Sequence, residues 1–409
     1  MREQQPAILC LSHLNWSYIW QRPQHVLSRM ARYYEVMYVD EPDIGPADGE
    51  RTLERVAREG KLSAWHPIFP DRSEIVGPWR EQYVDIVREL LLRKEWVEER
   101  AGRLVAIRPL ILWFYTPTPV YLLDHLPADL VVYDVMDELD NFKGGPVDLK
   151  AREARLLARA DVVFAGGRSL YQAREGRHPN LHLFPSGVEP DHFARATHPE
   201  TPVAGEIADL PRPILGYYGA IDERIDLELL QAVAERHPEW SIVMIGPVVK
   251  IEPDELPRLP NIHYLGRQSY SRLPSFLKGF DVCLMPFAMN EATRYISPTK
   301  TLEYMAAHKP IVSTPVPDVV ASWGEMVRIA ATPEAFAGAV EDALQENEAQ
   351  RSARVVREEH ILACSTWDHI VAQMHERIEA VLKQRPTHVG SGAYPVVNPP
   401  CTINPLNRV

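Results

Sequence analysis

SPTKTLEYMAAHKPIVST, residues 297–314, combines a helix start, a carboxylate about one turn further on, and an apolar run directly after. Ser297 suits a helix N-cap and Pro298 the first helical position, where a missing N–H costs nothing. The N–H groups of Thr299 and Lys300 then face outward at the positive end of the helix dipole. Lys300 adds a full charge, and the hydroxyls of Ser297 and Thr299 add donors. Such a set suits an anion, most naturally a phosphate or diphosphate. Glu303 lies three residues past Lys300, where a carboxylate accepts hydrogen bonds from a ribose diol. Plain helix capping explains the same residues. The trailing KPIVST reads as a buried strand.

The same alternation runs along most of the chain. AILCLS near residue 10, EVMYVD near 38, LILWFY near 112, DLVVYDV near 132, DVVFAG near 163 and LHLFPSG near 184 predict buried strands. Helical patterns separate several of them, at residues 23–34 and 149–160 for example. A Pro- and acid-rich stretch, residues 192–213, reads as a break. A second series follows: PILGYYG, SIVMIG, NIHYLG, DVCLMPF and KPIVST. Buried strands alternating with helices argue for parallel sheets covered on both faces. The expected class is α/β, two doubly wound Rossmann-like domains with a cleft between them. The boundaries are 1–195, a linker at 196–213, 214–365, a helix at 366–383 crossing back to the first domain, and a Pro-rich tail at 384–409. In such folds ligands bind beyond the carboxyl ends of strands.

Composition narrows the classes. The 409 residues are 45% hydrophobic and 24% charged, as in a globular protein. A formal charge of −12 disfavours a general nucleic-acid binder, which needs concentrated Lys and Arg. It disfavours broad attraction to anionic membranes too, although a local basic face and peripheral association stay open. Cys10, Cys283, Cys364 and Cys401 form no C-x-x-C pair. No apolar run approaches the roughly 20 residues that span a bilayer, so the expected location is cytoplasmic. The sequence holds no Asp-x-Asp, no P-loop, no G-x-G-x-x-G, no H-E-x-x-H and no G-x-S-x-G. No metal and no cofactor are therefore expected.

GYYGAIDERIDLELL (residues 216–230), IVMIGP (242–247), NIHYLGRQSYSRLPSFLKGFDVCLMPF (261–287) and the opening stretch together resemble the nucleotide-sugar domain of GT-B glycosyltransferases, especially the retaining family 4 type. WQRPQHVLSRMA (20–31) and VVYDVMDE (131–138) are similar to bacterial polysaccharide and teichuronic-acid members. The resemblance spans about residues 7 to 382. It implies that Glu303 holds the donor ribose, and that a basic residue after the second domain's first strand neutralises the diphosphate. Arg224 is the candidate, with Lys300 as its partner; a surface ion pair with Asp222 or Glu228 explains Arg224 as well. The resemblance places nucleobase contacts at Arg267 and Gln268, after a strand. Gly219, Ala220 and Gly246 are small enough for close backbone approach to a phosphate.

One departure stands out. The family has two glutamates eight positions apart near the donor, and the earlier place is Tyr295 here. Glu291 is the substitute in the same loop, with Asn290 and Arg294 beside it. For the acceptor, the candidates are Trp16, Tyr18, Trp20, Arg22 and His25 in the first loop, Tyr115 and Thr116, and Asp134. Asp134 or Asp137 orients an acceptor hydroxyl in this reading. Core packing and turn capping account for the same groups.

The leading expectation is a metal-independent, retaining glycosyltransferase using a nucleoside-diphosphate sugar, UDP by default, with a carbohydrate, lipid-linked or small-molecule acceptor. Arg224, Lys300 and Asp137 carry the chemistry. A degenerate scaffold that binds nucleotide without turnover, and a sugar-nucleotide epimerase, are the alternatives on the same architecture.

Overall fold

The computed structural model describes residues 5–46, 51–70, 78–141 and 147–384. Expectations for the tail at 384–409 therefore fall, past Gln384, outside the described residues. The chain divides into two compact units. Of the described residues, the first takes those up to Gly166, Leu170–Phe184 and 371–384; the second takes Gly167–Ser169 and Pro185–Ile370.

The first unit contains β1 (Ala7–Ser12), β2 (Glu35–Asp40), β3 (Asp43–Gly45), β4 (Thr52–Glu59), β5 (Leu62–Pro70), β6 (Val97–Arg100), β7 (Arg103–Ala106), β8 (Leu110–Phe114), β9 (Leu130–Val135), β10 (Val162–Ala165) and β11 (Leu181–Leu183). Their order is β11-β10-β9-β8-β1-β2-β5-β3, with β4 antiparallel on β5 and β6-β7 a separate hairpin. The other pairings in the sheet are parallel, such as Ala7 against Glu35 on one side and Leu110 on the other. β1, β8 and β9 are buried throughout, as the unbroken apolar runs of a doubly covered parallel sheet require.

The second unit contains β12 (Ile214–Tyr218), β13 (Ser241–Ile245), β14 (Ile262–Tyr264), β15 (Val282–Met285), β16 (Ile311–Ser313) and β17 (Arg328–Ile329). Their order is β14-β13-β12-β15-β16-β17, all parallel. Both sheets therefore reverse their winding once, beside β1 in the first unit (β8) and beside β12 in the second (β15). Crevices for ligands open at the carboxyl ends of strands at such points.

Eleven strands match the apolar runs named above. The structure adds β3 to β7, the helix Pro78–Arg93 and β17. β4 is largely exposed, TLERVARE, and β5 carries prolines, so neither shows the pattern of a buried strand. The stretch expected as a linker is packed instead. Phe193, Ala196 and Ile207 are buried in the second unit's core, and Ala204 N–H donates to the Ser275 carbonyl at 3.1 Å. The final helix runs Trp367–Gln384. Within the first unit, His375 stacks on Tyr33 at 3.9 Å and meets the Tyr34 hydroxyl at 2.8 Å. Among the described residues no helix is long and apolar enough to cross a membrane.

Candidate functional site

β12 delivers the chain to Gly219 at a φ of 144°, and β13 delivers it to Gly246 at 147°, a region side chains rarely adopt. A Cβ at Gly246 would lie 1.8 Å from the Gly219 carbonyl oxygen, and one at Gly219 would lie 2.5 Å from Lys300 Cε. The two glycines thus let the strand ends close and let the Lys300 side chain cross over β12. Its ammonium sits 5.6 Å from the Tyr217 ring centre, while the Tyr217 hydroxyl donates to the Ala220 carbonyl at 3.1 Å.

The loop after β12 is stitched to the loop after β15. Asp226 N–H donates to the Pro286 carbonyl at 2.9 Å, Ala288 N–H to the Arg224 carbonyl at 2.8 Å, and Asn290 Nδ2 to the Glu223 carbonyl at 2.9 Å. Asn290 is thereby a tie between loops. Glu291 and Arg294 are exposed and face each other at 3.7 Å, and the Arg294 guanidinium lies over Tyr295. Arg224 grips Asp222 with Nε at 2.9 Å and Nη2 at 2.6 Å, and Asp222 is buried. The pairing with Asp222 open from the sequence is the one formed.

Lys300 differs from Arg224. It is half-buried and, among the described residues, forms no ion pair. Burial pulls its ammonium below the ordinary value; Glu303 opposes, Arg224 reinforces and Asp222 opposes. Burial likewise raises the half-buried Glu303 carboxyl, against the pull of Lys300, Tyr218 and Thr299. The Tyr218 hydroxyl borders Glu303 yet completes no hydrogen bond of good geometry. Cation and carboxylate stand on one short helix, Lys300–Ala306, at the second unit's switch point.

That helix starts later than expected. Thr299 is its N-cap, in αR geometry, and Ser297 and Pro298 precede it. Thr301 N–H donates to the Pro298 carbonyl at 3.3 Å, so a turn around Pro298 leads into the helix. The N–H groups of Thr299 and Lys300 stay outside the backbone pattern among the described residues, as anticipated, but no side chain caps the end. On the far side of β13, Gly246 N–H donates to the Gly266 carbonyl, next to exposed Arg267. Gln268 is held by the Leu265 carbonyl at 3.1 Å and by Arg272. Tyr217, Tyr218 and buried Asp222 support this site; the first two read in sequence only as strand residues.

The expected acceptor residues in the first unit take other places. Arg22 and Asp134 are 2% and 0% exposed and pair at 2.8 Å, with Arg22 also donating to the Phe184 carbonyl at 2.8 Å. Burial raises the Asp134 carboxyl against the pull of Arg22. Tyr115 is buried beside them. The three knit strand ends together and show almost no surface, a correction to their reading as acceptor contacts. Trp16 is a core residue too: its N–H donates to Asp40 Oδ1 at 2.9 Å and its ring meets Tyr38 at 4.9 Å. Trp20 and Tyr18 are exposed, and Trp20 Nε1 donates to Nδ1 of buried His25 at 3.1 Å. Thr116 is buried, and Asp137 is half-buried past the end of β9. No cluster of three His, Cys, Asp or Glu side chains suited to a metal occurs among the described residues.

Comparison with known proteins agrees with this fold. Residues 212–346 match the family model Glycosyl transferases group 1. A Bacillus subtilis (strain 168) protein described as a teichuronic acid biosynthesis glycosyltransferase, TuaH, is 25% identical over 224 residues, 50% of this chain. The match spans about half of that relative's length, 55%. Sucrose-phosphate synthase from Thermosynechococcus elongatus superposes with a TM-score of 0.69 at 14% identity, covering 93% of this chain and 100% of the other. An E. coli structure described as trehalose-6-phosphate bound with UDP-2-fluoro glucose gives 0.64 at 13%, with coverages of 93% and 100%. At these identities the structures establish the fold.

Proposed function

The chain carries a glycosyl transferases group 1 domain on a GT-B fold, and from that premise we propose that it moves a sugar from a nucleoside diphosphate to an acceptor hydroxyl. The observation that carries the proposal is Lys300, a half-buried cation at a strand-switch crevice with no ion-pair partner among the described residues. A cation held in that state gains a partner when a diphosphate arrives. Arg224, already forked onto Asp222, contributes a smaller net charge. As the glycosidic bond breaks, negative charge grows on the leaving diphosphate, and Lys300 stabilises that charge without moving. Glu303, about one helical turn on, accepts the ribose hydroxyls.

UDP is the proposed donor nucleotide, supported by what the E. coli neighbour is described as binding. Retention of configuration and independence of metal belong to the proposal and rest on the family resemblance. A carbohydrate acceptor follows from the description of the Bacillus relative.

The test is thermal unfolding against UDP, GDP, TDP and ADP with chelator present, on the wild type and Glu303→Ala. A native-state ligand at 100 times its Kd stabilises by about 2.7 kcal/mol. The expected result is a shift with UDP that the variant loses. No shift with any nucleotide overturns the proposal. Turnover of a UDP-sugar that needs an acceptor then separates a transferase from an epimerase or a silent scaffold.

A further inference from the structure

Tyr218, the last residue of β12, is held between two aromatic neighbours. Its ring lies parallel to that of Phe193, with 6.4 Å between centres, and meets Tyr304 edge-on at 5.1 Å. Its N–H donates to the Tyr304 hydroxyl at 3.4 Å. Phe193, from the helix Pro190–Ala194, and Tyr304 are themselves buried. The ring is thus fixed by packing, and the hydroxyl proton is the part left to turn.

That hydroxyl is buried and completes no hydrogen bond among the described residues. The carboxylate that borders it is Glu303, the residue before Tyr304 on the helix Lys300–Ala306. Glu303 is half-buried and is bordered as well by Lys300, by the Thr299 hydroxyl and by Glu189, which precedes the helix Pro190–Ala194. Glu189 is taken up by the Tyr270 hydroxyl at 2.8 Å. On Glu348–Cys364, also packed on the Glu303 helix, Arg354 and Glu358 pair with each other at 2.8 Å. A buried phenol without an acceptor is costly, and a carboxylate is the strongest acceptor that a protein offers it. A small turn of the Glu303 side chain completes the bond, whereas packing fixes the Tyr218 ring.

We propose that Tyr218 is a positioning residue: its hydroxyl donates to one oxygen of Glu303 and so aims the other at the ribose diol of the donor. The hydroxyl oxygen is buried, so Tyr218 acts through Glu303 and does not touch the nucleotide. A carboxylate held in this way loses less freedom when the ribose arrives. A hydrogen bond to its charged form also keeps it ionised, and hence purely an acceptor. This inference rests on the reading of Glu303 as the ribose contact and names the residue that aims it.

Isothermal titration of the full chain with UDP and with dideoxy-UDP, which lacks both ribose hydroxyls, tests it. The wild type should bind UDP about 30-fold more tightly, the scale of a charge-assisted hydrogen bond or two. Tyr218→Phe keeps the ring and should lower that ratio to about threefold, with dideoxy-UDP binding as before. A merely structural role would weaken both ligands alike and leave the ratio intact. Added to Glu303→Ala, Tyr218→Phe should change nothing further, because the tyrosine acts through the carboxylate. On acidification the ratio should collapse about one pH unit higher in Tyr218→Phe than in the wild type, since the lost donor lets Glu303 protonate sooner. Both ligands carry the same diphosphate, so its own titration cancels. Thermal unfolding without nucleotide should place the variant close to the wild type. An unchanged ratio in Tyr218→Phe, or an equal loss on both ligands, overturns the proposal and leaves the donor site standing. Equal wild-type binding of the two nucleotides removes Glu303 from the ribose, and this inference with it. No binding of UDP by the wild type sinks the donor reading itself.

Discussion

Arg22 and Lys300 are cations that each open a helix, and they are opposites. Arg22 is paired with Asp134 and a carbonyl and shows 2% of its surface. Lys300 is half-buried with an aromatic face and no ion pair among the described residues. A buried charge paired with an opposite one helps hold a fold together, and removing one partner strands the other, although Arg22 Nη2 and Asp134 Oδ2 complete no hydrogen bond among the described residues. A half-buried charge kept without a partner adds little to stability. Arg224 stands between them, forked on Asp222 but partly open.

The largest effect should come from breaking the paired side. Asp134→Ala leaves the Arg22 guanidinium buried and uncompensated, and should destabilise the first unit by about 3–5 kcal/mol. Chemical denaturation would show it, with UDP affinity of the remaining folded protein unchanged. On the unpaired side, Lys300→Met should lower turnover about 100- to 1000-fold, as loss of a charge-stabilising group does. Its thermal stability without nucleotide should equal or exceed that of the wild type. A Lys300→Met protein that unfolds easily would show that the cation serves the fold.

A third charge sharpens the contrast. Glu358 is fully buried; Oε1 accepts from Arg354 Nη1 at 2.8 Å, and Oε2 has no hydrogen-bond partner among the described residues. Burial pushes its carboxyl up from 4.5 to about 7, more than Arg354 can offset. The folded state therefore holds an extra proton between those values, and stability falls as pH rises through that window. Glu358→Gln keeps the acceptor for Arg354 and should flatten that slope, gaining roughly 2 kcal/mol at pH 8 in denaturation. An unchanged slope would mean that Arg354 compensates the charge in full. The smallest effect is steric. Gly219→Ala places a methyl in an unfavoured backbone region against Lys300, and should cost about 1–2 kcal/mol of stability. Isothermal titration should also show weaker UDP binding, by about tenfold.

Legibility in the sequence followed the range of the interaction. The strand runs PILGYYG and SIVMIG were readable because burial on both faces leaves an unbroken apolar signature. β4 was not, since a strand exposed for most of its length carries no such run. The Lys300–Glu303 pair was readable as one turn of a helix, although the helix begins at Lys300 and not at Pro298. Trp16, Arg22, Tyr115 and Asp134 were recognisable as chemistry-bearing residues near strand ends, but their buried state was not.

By itself, then, the sequence determined the alternation of strands and helices, the glycines at strand ends, and the spacing of cation and carboxylate on one helix. These depend on neighbours within a few residues. Only the tertiary structure decided which charges are matched. Asp134 reaches Arg22 across 112 positions, whereas no carboxylate reaches Lys300 to form an ion pair among the described residues. Pairing depends on distances through space between strands that are remote in the chain, and the order of strands in the sheet sets those distances.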